Sequence, residues 1–135
     1  MMQEYTDKQK AIDYANWLNF IHNDMSFYVI KHDNDSYLVC SKESETDNSY
    51  HIPLETKYAE MDYKDIQAIR TDTEPLQHWE NLSGLISTMD GALLRFILKH
   101  NIPLEKFIRY ELGARGYDQN GKWIGFDDSE KFWWK

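Results

Sequence analysis

The sequence predicts an α+β fold: an N-terminal helix, a small antiparallel β-hairpin or three-stranded sheet, then an α-helical C-terminal half with a short terminal hairpin or turn. Three observations carry this. Apolar residues recur at helical spacing up to about residue 25, a β-branched and aromatic stretch fills residues 26–40, and helical spacing resumes from about residue 62.

Thr6-Asp7-Lys8-Gln9 reads as a capping box, in which the Thr6 hydroxyl accepts the third amide of the helix and Gln9 reaches back. Behind it, Ala11, Tyr14, Leu18, Ile21 and Met25 recur every three or four residues, which predicts a helix over about 7–23. Ser26 to His32 and Tyr37 to Cys40 read as strands, joined by the turn formers Asp33-Asn34-Asp35-Ser36. Lys42 to Ser49 reads as an exposed loop, and Tyr50-His51-Ile52 as an edge strand, because Pro53 suits no central one.

Asp62 is placed to cap a short helix ending at Arg70, and Pro75 suits the first turn of another through Leu76, Trp79, Leu82, Leu85 and Ile86. The most apolar helix follows at Ala92 to Leu98 and stops at His100-Asn101. A further helix runs from Ile102-Pro103 to about Leu112, where Gly113 and Gly116 end it. Asn120-Gly121 signals a tight turn between Tyr117 and Trp123, and Asp127 with Glu130 caps a last short turn into Phe132-Trp133-Trp134.

A chain of 135 residues with no long linker predicts one domain, and an aromatic content of 15% excludes an unfolded chain. Cys40 is the only cysteine, which excludes an intramolecular disulfide and a cysteine-built zinc site. Polar residues fill Met1 to Lys10, where a signal peptide needs an apolar stretch, and no apolar run is long enough for a membrane span. A cytoplasmic protein with no membrane partner is therefore expected.

Net charge is −8 and unevenly placed: residues 1–90 hold 17 Asp and Glu against 7 Lys and Arg, whereas residues 91–135 hold 6 against 8. A nucleic-acid backbone is repelled by the first part and only weakly attracted by the second.

No nucleophile elbow, phosphate-binding glycine loop, dinucleotide fingerprint or paired-histidine zinc helix is present. The five histidines lie at no helical spacing that shares one metal, and Asp33-Asn34-Asp35 fails as a calcium loop at Tyr37 and Leu38. Asp127, Asp128 and Glu130 fit a helix cap better than a metal site, and Cys40 fits a core strand better than a nucleophile. Neither a metal, a cofactor nor catalysis is expected.

Residues 93–116 are compatible with helix-turn-helix geometry, with Lys106, Arg109 and Arg115 facing phosphates. Bulky Ile97 at the close approach, and Glu105 and Glu111 on the recognition helix, favour a plain helical hairpin in which these cations are solvated. Gly113-Ala114-Arg115-Gly116 has the form of an RNA-binding GxxG loop, but a hairpin turn follows it where that motif needs a helix. Trp133 and Trp134 are neighbours and point different ways, either closing the core or anchoring an interface.

The leading expectation is a non-enzymatic module that binds a protein partner, as small acidic inhibitors of the immunity-protein or anti-defence kind do. Its face would comprise Asp33, Asp35, Glu43, Glu45, Asp47, Asp62 and Asp65, with Trp133 and Trp134. The alternatives are a nucleic-acid-binding regulator using Lys106, Arg109 and Arg115, and a small enzyme or ligand-binding domain revealed only by a pocket of converging carboxylates or histidines. A homodimer through the helices at 76–112 or the C-terminal aromatics also fits the composition.

Overall fold

The computed structural model describes residues 2–33, 35–42 and 51–135, excluding the side chains of residues 2 and 42. The fold is α+β. Its elements run β1 (Met2–Tyr5), α1 (Lys8–Ile21), β2 (Ser26–Asp33), β3 (Ser36–Lys42), β4 (His51–Ile52), a 3-10 turn (Tyr58–Glu60), α2 (Tyr63–Arg70), α3 (Gln77–Ser87), α4 (Gly91–His100), α5 (Leu104–Arg115) and α6 (Phe126–Trp133). They form two compact units, Met1–Ile86 and Ser87–Lys135.

In the first unit an antiparallel sheet of order β1-β3-β2-β4 lies against α1. Strand alternation along β2 sends Phe27 and Val29 into the core and leaves Tyr28 and Ile30 half-buried on the other face. Val29 pairs with Val39 of β3, and both are fully buried with Ala11 and Ala15 of α1. Alanines on the inner face of α1 let the helix come close to the sheet, and Leu18 completes the contact. Asn19 ties the end of α1 to β2, accepting the Phe27 amide at 2.7 Å and donating to the Phe27 carbonyl at 3.0 Å.

Several elements depart from the sequence expectations. β1 was not expected; it pairs with β3, Met2 opposite Cys40 and Tyr5 opposite Tyr37, and makes a four-stranded sheet. The cap of α1 is Asp7 rather than Thr6, and its carboxylate accepts the amides of Gln9 and Lys10. The helix also ends at Ile21, leaving Met25 outside it. The hairpin β2–β3 and the edge position of β4 agree with the expectation. So does α2, which Asp62 opens in a reciprocal capping box with Asp65.

In the second unit α5 packs on α6, and α4 has no such close partner within the unit. α5 continues three residues past the expected stop, through Gly113, and ends at Gly116 in the left-handed conformation, φ +86°. Asp118 then organises the turn, accepting the amides of Asn120 (2.8 Å) and Lys122 (2.9 Å), so that Tyr117 bridges to Trp123. α6 begins at Phe126, behind Gly125 and without a side-chain cap, in place of the expected cap at Asp127.

Candidate functional site

The first unit contains a cavity of about 830 Å³ between the N-terminal half of α1, the segment around the 3-10 turn, and α2 with the start of α3. Its most unusual side chain is Asp13, which is 8% exposed on an otherwise apolar helix face. The Asp13 Oδ1 atom accepts hydrogen bonds from Gln9 Nε2 and from the Tyr58 hydroxyl, each at 2.9 Å. Burial, and then that hydrogen bond to a carboxylate, push the Tyr58 phenol up to about 12, so the hydroxyl remains a donor across the neutral range.

Tyr58 connects this carboxylate to a cluster of aromatic rings. Trp79 meets Tyr58 edge-on at 5.7 Å, and His78 stacks on Trp17 at 4.8 Å with an interplanar angle of 7°. Burial holds the His78 imidazole below its usual pKa although Asp13 pulls the other way, so it is neutral at physiological pH. The Trp79 indole N–H and His78 Nδ1 are buried without a hydrogen-bond partner among the described residues. Lys10, also lining the cavity, is committed elsewhere: it pairs with Asp72 at 2.6 Å and donates to the Glu74 carbonyl at 2.8 Å. The Asp72 carboxyl is held below its usual pKa by that lysine and by the Glu74 amide.

These residues escaped the sequence expectations, yet a signal existed. Gln9 and Asp13 stand four apart, and Asp13 interrupts the inner face formed by Ala11, Ile12 and Ala15. A carboxylate there must find donors from elsewhere in the chain.

The expected acidic face is placed only in part. Asp33 and Asp35 flank the β2–β3 turn and share a shallow depression with Glu4, Lys31 and His32. Asp62 and Asp65 are spent on the capping box of α2, and Glu43, Glu45 and Asp47 lie outside the described residues.

The expected cations of the second unit are largely engaged. Arg109 pairs with Glu105 at 3.2 Å and donates to the Trp133 carbonyl, and Arg115 pairs with Glu111 at 2.8 Å, whereas Lys106 is exposed. Trp134 stacks on Tyr110 at 4.8 Å and donates to its carbonyl, lying over Gly113; Trp133 donates to the Tyr117 carbonyl at 2.9 Å. The Trp134 indole is thus built against α5 and the Trp133 indole against the segment that follows it, with Trp134 still 43% exposed.

Cys40 is buried, and burial raises its thiol pKa above the ordinary value, which is the opposite of an activated nucleophile. Among the described residues no three His, Cys, Asp or Glu side chains gather as metal ligands, and no helix is long and apolar enough to cross a membrane.

The helices of the C-terminal half expose large apolar side chains. α3 shows Leu82 and Leu85, α4 shows Leu93, Phe96 and Leu98, and α5 shows Leu104, Phe107 and Ile108. Leu98 is 79% exposed and Phe107 64%. No protein-family model matches the chain, and neither the curated proteins nor the solved structures yield a match.

Proposed function

We propose that the protein is a non-enzymatic interaction module that binds a protein partner and acts as an inhibitor or regulator. The observation that carries this reading is the row of exposed apolar side chains on α4 and α5. Soluble proteins rarely leave such groups on consecutive helices in water unless a partner covers them. Phe96 and Phe107 are side chains of the size that anchors interfaces.

Charge adds selectivity. The first unit is acidic, with Asp33, Asp35 and Glu4 around one end of the sheet, and such a surface speeds the approach of a basic partner and repels phosphate backbones. The nucleic-acid reading draws less support, because two of its three cations already face glutamates on their own helix and Leu104, Phe107 and Ile108 share that helix.

Affinity capture from host lysate at low and high salt tests the reading. A discrete basic protein recovered at low salt and depleted at high salt is expected. Recovery of nuclease-sensitive nucleic acid instead would overturn it.

A further inference from the structure

We infer that the cavity of the first unit is a binding site for an ammonium or guanidinium group carried on an apolar stem, with Asp13 as its counter-charge and Tyr58 and Trp79 as aromatic walls. The starting point is a charge imbalance. Buried carboxylates are normally paired with a cation. Asp13 is more than nine-tenths buried, yet its two hydrogen bonds come from neutral groups, Gln9 and Tyr58. The cationic candidates around the cavity do not serve it: Lys10 is held by Asp72 and Glu74, His78 is kept neutral by burial, and among the described residues neither Lys8 nor Lys57 forms a salt bridge with Asp13.

The shape and lining of the cavity fit the same chemistry. About 830 Å³ lies within the range of small-ligand sites. Ile12, Met61, Ile69 and Leu76 supply an apolar wall for an aliphatic stem, while the Tyr58 and Trp79 rings suit a cation by their negative faces. The charged lining comprises Asp7, Asp13, Glu55, Asp65 and Asp72 against Lys8, Lys10 and Lys57, with Asp72 paired to Lys10, and its net negative balance favours a cation over an anion of equal size. A polar stem would forfeit the apolar wall, and a neutral headgroup would leave the Asp13 charge uncompensated.

This chemistry has two sources, a free organic amine or a lysine or arginine side chain of a bound protein. The site does not depend on the protein-binding reading, because the first source needs no partner.

The test uses the full chain and calorimetric titration. The probes are n-butylamine and n-butylguanidine, a short peptide with one central arginine, and n-butanol and butyrate as neutral and anionic controls. Saturable binding of a cationic probe at about 1 mM or tighter is expected, with no saturation by either control. Asp13→Asn should weaken it at least about tenfold, as loss of a charge-assisted contact does. Because Asp13 also holds Tyr58, a second variant is needed. Ala68→Phe adds a ring from an exposed position of α2 that lines the cavity, leaves the Asp13 hydrogen bonds intact and should block binding equally.

Binding of the free amines would assign the site to small cations, and binding of the peptide alone would assign it to a partner's side chain. Absence of saturation with all cationic probes would overturn the inference. So would equal affinity in the folded Ala68→Phe variant, or butyrate binding as well as butylamine.

Discussion

At the scale of single residues, the Asp13–Tyr58 hydrogen bond joins α1 to a segment 45 residues away at 2.9 Å. Removing the hydroxyl leaves a buried carboxylate one donor short, and that desolvation cost exceeds the ordinary net value of a hydrogen bond. Tyr58→Phe should therefore destabilise the fold by about 1–3 kcal/mol in chemical denaturation, more than an exposed Tyr63→Phe change. His78 gives a second handle. Its pKa lies below 6.5 when folded, so below about pH 6.5 the unfolded chain takes up a proton that the folded chain refuses. Stability from this group is complete above that pH and declines as pH falls through it. Denaturation midpoints measured from pH 8 to pH 5 should show the decline, and His78→Phe, which keeps a ring between Trp17 and Trp79, should flatten it. The loss at Asp72 has the same direction but a lower window, beginning near its ordinary 3.8, so the two are separable.

Elements show how legible the fold was. β-Branched and aromatic residues with turn formers between them marked β2 and β3, and Asp62 marked α2, because those signals are local. β1 gave no such signal: Gln3 and Glu4 are polar, and the strand exists because β3 offers it a hydrogen-bonding edge. Gln9 looked like a capping partner because it stands three residues after Thr6, but its side chain turns to Asp13, and a competing cap one residue later is invisible to spacing. Gly113 looked like a helix stop for the same reason. Its role is tertiary: the indole of Trp134 lies where a side chain would project. Gly113→Ala should consequently force Trp134 off Tyr110, costing about 1–3 kcal/mol in thermal unfolding and changing tryptophan fluorescence. The cavity was unreadable for a deeper reason, since Asp13, Tyr58 and Trp79 meet only through the path of the chain between β4 and α3.

On the scale of the whole molecule, periodicity identified apolar stripes without saying what covers them. Ala92 to Leu98 is the most apolar helix the sequence predicts, yet α4 carries no fully buried residue. That exposed face is the proposed binding surface. An exposed position contributes little to stability, so Phe96→Glu with Leu98→Glu should shift the unfolding free energy by no more than roughly 1 kcal/mol. Removing an interface anchor has a far larger effect on association. The direct measurement is the dissociation constant of the captured partner for the wild-type chain and for this double variant. Weakening of about tenfold or more with an unchanged circular dichroism spectrum is expected. Equal affinities, or a double variant that no longer folds, would contradict it.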